Sequence, residues 1–445
     1  MRYRFIVSPV RRALAVAVVG IVAVGLTACA SSSGGGASGG GGSVAAGDTT
    51  LTLWHNYGTE ANATATNELV AAFEAKNPTI KIKVISQPAD NYFPLLQSAT
   101  ISHTGPDLAV MWTGLFALKY QNLLVNLKGL VPQADLDKQK GLQFTAPGFD
   151  PSQGSLVMPL DDQLYIGYYN KALFHKAGIT SVPRTWDELF AASAKLKAAG
   201  IEPLVYGNGG QALGAEFLPW YDMSYLAADV MQPDQLKELY SGKTAWNSPA
   251  LTSQLTRWAT LQQRGYTNND VLTKTDNLAN FTSGKAAMII DGTWDLPTFQ
   301  KALGKDVAAF IPPFTDTPAK GVVEYSGDGF AITKSSAHQA AAAKFLQFIT
   351  TPQASDIIAN VGLIPNVNGY ADADPLAQQM LDFAAKDGYT RYPMLDNVVQ
   401  PEVVDAGSKF LPSVLAGNSS PSSALSTLAS TLNNLPAARR GSSYQ

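Results

Sequence analysis

Ile80, Ile82 and Val84 alternate with Lys81 and Lys83, so one face of residues 80–85 is apolar and the other charged. A period of two predicts a half-exposed strand. Just upstream, Leu69, Val70 and Phe73 recur at helical spacing, which predicts a helix over 67–76 stopped by Asn77-Pro78. With a short strand over 50–54, the order strand, helix, strand opens an α/β unit with a parallel sheet. GPDLAVMW, residues 105–112, reads as a turn followed by a buried strand. Residues 183–200 read as a helix in which Thr185 and Glu188 form a capping box and Gly200 marks the stop. Trp186, Leu189, Phe190, Ser193 and Leu196 share one face of that helix, which assigns Trp186 to the core. KAAMIID, 285–291, is a buried strand, and 335–350 is a helix ended by Thr351-Pro352. Strands and helices alternate without a fixed repeat, and no Pro/Gly/Ser linker divides them. Two lobes joined by several crossovers fit this pattern better than two independent domains.

The first 47 residues break the pattern. Residues 1–12 carry Arg2, Arg4, Arg11 and Arg12 and no acid, and 13–26 are apolar with small residues dominating. That is the layout of an export signal. The apolar run is shorter than the roughly 18 to 20 residues that span a bilayer, which argues against a permanent membrane helix. Leu26-Thr27-Ala28-Cys29 resembles a bacterial lipobox. The resemblance implies a signal peptide over 1–28, a diacylglyceryl group on the Cys29 sulfur, and Cys29 as the acylated (palmitate-type) mature N-terminus. The alternative is an ordinary signal peptide with an incidental cysteine. Residues 29–47, rich in Gly and Ser, then form a flexible tether. Arg11-Arg12 leaves twin-arginine export open beside the general route. The expected location is the extracellular face of the cell membrane.

About 400 residues remain for folding, enough for about two to three domains. Hydrophobic residues make up 46% and charged residues 15%, a globular balance. Net charge is -3 with no basic run outside the signal, which argues against a nucleic-acid partner. Cys29 is the sole cysteine, so no intramolecular disulfide can form and stability must come from the core.

Candidate chemistry changes this picture only in one respect. His55, His103, His175 and His338 lack metal-ligand spacing, and no phosphate-binding loop or G-x-S-x-G elbow occurs. No metal or cofactor is expected. GNGG, 207–210, reads as a glycine-rich turn after a strand over 203–206. Paired carboxylates occur at Asp161-Asp162 and at Asp291 with Asp295. What is enriched is aromatic residues beside carboxyl and amide groups: WHNYGTE (54–60), MWTG (111–114), LDDQLY (160–165), LPWYD (218–222), IDGTWD (290–295) and SGDGF (326–330). In open α/β sheets ligands bind beyond the carboxyl ends of strands, where such segments fall. A sugar presents an apolar C–H face to rings and a hydroxyl rim to Asp, Asn, Gln and Glu. Together these segments point to a polyol site.

The chain also resembles the carbohydrate-binding solute receptors of ABC importers, the maltose-binding-protein-like solute-binding lipoproteins. LTLWHNYG resembles the family's first strand and ligand-facing turn, and GPDLAVMWTGLFALKYQNLLVNL its Pro-Asp strand and sugar-contacting loop. VMPLDDQLYIGYYNKALFHKAGITSVPRTWDELFAASAKL is the most specific stretch, followed in order by FTSGKAAMIIDGTW and GDGFAITKSSAHQAAAAKFLQFITT. The resemblance implies a two-lobed periplasmic-binding-protein fold, each lobe a parallel-rich sheet flanked by helices, with the ligand cleft between them. Residues 48–158 and 327–369 would form lobe 1, and 159–326 and 370–445 lobe 2. Gln163 matches a crossover position that faces sugar, and Trp294 matches a tryptophan that contacts sugar from the second lobe. Trp112, Asn56, Tyr57 and Glu60 fall in first-lobe loops, and Asp328 stands where the chain returns, flanked by Gly327 and Gly329. Asp162, Trp220 and Asp291 complete the candidate set; a structural reading stays open for Tyr57, Trp220 and Asp291, and Asp107 and Trp54 are read as structural. The acid and base that maltose-binding members carry in their first-lobe loops have no counterpart here.

The implied function is capture of a mono- or oligosaccharide by hinge closure and delivery to an ABC permease, by a monomer and without chemistry on the substrate. A lipid-anchored glycoside hydrolase using Asp162 and Asp291 is the rival. A receptor for glycerol phosphate is disfavoured by a candidate cleft with acids and little Lys or Arg, unless Arg391 points inward.

Overall fold

Two sheets, each with its own apolar core, organise residues 48–57, 60–146, 150–207, 218–385 and 388–440, which the computed structural model describes. The signal, Cys29, the Gly/Ser tract and residues 208–210 of the glycine-rich turn lie outside them. In chain order the strands are β1 (Thr49–His55), β2 (Ile80–Ser86), β3 (Leu108–Trp112), β4 (Met158–Pro159), β5 (Gln163–Asn170), β6 (Glu202–Leu204), β7 (Ala286–Gly292), β8 (Val307–Phe310), β9 (Gly321–Tyr325), β10 (Asp328–Ile332) and β11 (Thr390–Pro393). The fold is α/β, with the strands divided between two sheets.

The first sheet has the order β2-β1-β3-β10-β4. β1 pairs in parallel with β2 and β3, while β10 runs antiparallel to β3 and β4. Helix α1 (Ala61–Lys76) makes the first crossover and buries Leu69, Val70 and Phe73, with the Phe73 ring edge-on to Phe345 at 5.4 Å. It begins six residues before the expected 67–76, because residues 61–66 carry no large apolar side chain to mark the period. Ala63, Ala65 and Thr66 are nonetheless buried there. The helix expected over 335–350 spans Gln339–Ile349, since the Ser336 hydroxyl donates to Asp107 at 2.6 Å and holds the preceding turn out of the helix. Asp107 also accepts from the Thr52 backbone N–H at 2.8 Å, tying β1 to the start of β3.

The second sheet, β11-β9-β5-β7-β6 with β8 on β5, is less parallel than the resemblance implied. β5 runs antiparallel to β7, β8 and β9, and only β6 with β7 and β11 with β9 are parallel. The reason is connectivity: β5 enters from the other sheet, so its direction is set by the crossover and not by a local β-α-β unit. Helix Trp186–Ala198 lies where expected, but its capping box is half-formed. Thr185 accepts from the Glu188 N–H at 3.2 Å, whereas the Glu188 carboxylate reaches the Arg184 N–H at 2.7 Å. Trp186 is fully buried, stacked on Phe314 at 4.7 Å.

Short crossovers join the sheets. Residues 160–162 carry the chain from β4 to β5, and 326–327 bring it back from β9 to β10. They touch: Gly327 has φ +74°, and a Cβ on it would stand 2.1 Å from the Asp161 carbonyl oxygen. Only glycine meets both demands. A third strand of chain leans on this point, with the Asp162 N–H donating to the Ile364 carbonyl at 2.7 Å.

Candidate functional site

The crossovers fix where the site lies. β10 is antiparallel to β3 with Asp328 opposite Trp112, so the start of β10 stands at the carboxyl ends of β1 and β3. The chain then enters β5 at Gln163 on the facing side. Between the sheets a cavity opens with about 750 Å³ of empty space, part of it continuous with solvent.

From the first sheet the cavity takes Tyr57 after β1, Glu60 and Asn62 at the start of α1, Trp112 at the end of β3 and Asp328. The Trp112 ring leans on Phe93 (4.9 Å) and Phe116 (4.8 Å), which hold it at the rim. From the second sheet come Gln163, Trp294 and Asp295 in the turn after β7, Tyr325 ending β9, and Met394 and Asp396 after β11. Tyr221, on helix Leu218–Ala228, meets Trp294 edge to face at 5.9 Å and 68°. Gly292 makes room for the Trp294 indole, because a Cβ there would stand 2.1 Å from the ring.

Acceptors dominate the polar lining. Burial pushes the carboxyls of Asp295 and Asp396 up to about 7. Glu60, which keeps an exposed face, is also raised to about 7, by burial first and then by the charge of Asp295. Asp328 is raised well above the carboxylate range by burial, then by Asp161 and Glu60. Just behind the wall, Asp161 accepts from the Gln163 side-chain amide at 2.9 Å, and burial lifts it to about 7. Tyr57 is 2% exposed, and its hydroxyl has no hydrogen-bond partner among the described residues.

Six of the residues singled out in the sequence therefore meet around one cavity: Tyr57, Glu60, Trp112, Gln163, Trp294 and Asp328. The other candidates do not line it. Trp220 is wholly buried in the second core, its indole N–H donating to Asp396 at 2.6 Å, so it positions a cavity carboxyl from behind. It is the neighbouring Tyr221 that faces the opening, a one-residue error that a helix turns into about 100° of rotation. Asp291 is buried beneath the Trp294 turn, with one oxygen accepting from the Gly292 N–H at 2.7 Å. Asp162 is ion-paired with Lys140 at the crossover. The carboxylate pair of the hydrolytic reading thus lies behind the wall. Asn56 is buried, with no hydrogen bond to its side-chain amide among the described residues, and Gly327 serves the crossover contact. Asn62, Leu278, Asp295, Tyr325, Met394 and Asp396 were missed as site residues. Asp295 lies inside a quoted segment and Tyr325 just beside one, whereas nothing near Asp396 in the sequence marks it. Arg391 points to Glu324 (3.1 Å) and does not reach the cavity lining.

An aromatic, carboxyl-rimmed cavity between two α/β lobes joined by short crossovers defines a two-lobed solute receptor. Residues 57–356 match the family model of the bacterial extracellular solute-binding proteins, and the chain belongs to that family. A binding protein of Brucella abortus is 28% identical over 229 residues, which cover 50% of this chain and 53% of that protein. The chain spans about half the length of these curated relatives. The sn-glycerol-3-phosphate-binding periplasmic protein UgpB of Shigella flexneri is 24% identical over 422 residues, covering 87% of this chain and 92% of that protein. Among solved structures, a chitin oligosaccharide binding protein superposes with a TM-score of 0.76 at 22% identity, over 87% of this chain and 98% of the other.

Proposed function

We propose that this protein is the substrate-binding component of an ABC importer, tethered by acylated Cys29 to the extracellular face of the membrane, and that it captures a mono- or oligosaccharide for the permease. The observation that supports this most is the lining of the cavity: rings of Tyr57, Trp112, Tyr221, Trp294 and Tyr325, drawn from both lobes, alternate with carboxyl groups. Rings suit the C–H face of a pyranose and carboxylates its hydroxyls. The family membership and the fold shared with an oligosaccharide receptor point the same way.

A ligand held from both lobes favours the closed arrangement, since only that arrangement makes both sets of contacts. Thermal-shift screening against a sugar panel is the direct test. A ligand at 100 times its Kd raises stability by roughly 2.7 kcal/mol. The bound protein should also be more compact by small-angle scattering. A verified ligand that leaves the scattering profile unchanged would contradict hinge closure, and turnover of an oligosaccharide would support the hydrolytic reading.

The tether has its own test. Cys29→Ser should abolish lipidation and cleavage at this site, with the sugar affinity of the folded domain unchanged. Mass spectrometry of the wild-type protein showing an unmodified N-terminus at another residue would refute it.

A further inference from the structure

The charge lining the cavity is one-sided. Glu60, Asp295, Asp328 and Asp396 reach it from four different elements, and among the described residues no Lys, Arg or His joins them. Among the described residues none of the four makes an ion pair. Lys140 is committed to Asp162 and Arg391 to Glu324. Glu60 stands at the N-cap of α1 with no side-chain hydrogen bond to the helix. A metal ion does not supply the balance, because among the described residues no three acidic, His or Cys side chains are placed to hold one. The buried, unpartnered Tyr57 hydroxyl in the same wall is an independent sign that a polar ligand completes this site.

We propose that the solute is a cationic one, an amino-substituted sugar whose protonated amine sits among these carboxylates against the aromatic rings. The inference rests on the sugar reading above and sharpens it. A neutral hydroxyl donates one proton and brings no positive charge to these buried carboxyls. An ammonium donates three and brings the missing charge, and ring faces attract it further. A phosphate-bearing solute meets acids on every side and no cation.

Matched titrations of the full chain in mild detergent at pH 7 provide the test. Neutral gluco-, galacto- and xylo-sugars and chitin oligomers are compared with their amino-deoxy counterparts, chitosan oligomers among them, and with sn-glycerol 3-phosphate. The amine-bearing member of the binding pair should bind about tenfold tighter than the neutral one or better. Asp328→Asn and Asp396→Asn, near-isosteric and checked for folding by circular dichroism, should shrink that ratio, costing the amine-bearing sugar more affinity than its neutral partner. Sugars that bind equally well with and without the amine would overturn the cationic inference and leave the sugar reading standing. Binding of sn-glycerol 3-phosphate would overturn the inference outright. If no member of either sugar set binds, the sugar reading falls and this inference falls with it.

Discussion

Replacing Trp294 with alanine is expected to weaken sugar binding by about 30- to 1,000-fold, or roughly 2 to 4 kcal/mol, a hot-spot-sized loss. The indole stands half-buried in the cavity wall, fixed from one side by the edge of Tyr221 and seated over Gly292. Its remaining surface is open to the cavity, where a pyranose face would stack. Trp186→Ala is the matching control. That ring is fully buried, stacked on Phe314 and hydrogen-bonded to Gln254 at 3.0 Å. Its loss should cost about 3 to 5 kcal/mol of stability and leave the affinity of the folded fraction intact. Paired melting and calorimetry separate the two roles. A Trp294→Ala protein that melts early but binds normally would place Trp294 in the core.

Asp222→Ala should destabilise the second lobe by about 3 to 5 kcal/mol. Its carboxyl is wholly buried and accepts from the Tyr165 hydroxyl at 3.0 Å, the Trp258 indole at 2.9 Å and the Tyr206 hydroxyl. Alanine leaves all three donors without their acceptor and opens a void among aromatic rings. Burial raises this carboxyl to about 7, against the pull of its three donors. The folded state therefore holds the proton more tightly than the unfolded chain, whose aspartates titrate near ~3.9. The resulting stability is complete below about pH 4, falls as pH rises toward 7, and is flat above that. Asp161, Asp295 and Asp396 act with the same sign. The urea midpoint of the ligand-free protein should drop between pH 4 and 7, and Asp222→Asn should flatten part of that slope. Identical slopes in the two proteins would show that Asp222 does not titrate in this range.

Much of the site was legible because aromatic and carboxyl residues cluster at strand ends, and the ends of β1, β3 and β7 converge. Tyr57, Trp112 and Trp294 are found that way. Asp291 and Trp220 deceived for a related reason. Each stands next to the residue that faces the cavity, in a turn and a helix whose rotation a sequence does not display. Asp396 carried no local mark at all, because it reaches the cavity on the last segment to join the second sheet, far along the chain from its cavity neighbours.

The sequence by itself determined the alternation of strands and helices, the amphipathic faces that bury Phe73 and Trp186, and the export-signal pattern ahead of a Gly/Ser tract. These are matters of local period and composition. Only the tertiary structure decided that β5 runs antiparallel within its sheet, that Gly327 must be glycine because Asp161 presses against it, and which carboxyls share one cavity. Those outcomes depend on contacts between residues more than a hundred positions apart, and no local pattern encodes which face of a distant segment will meet another.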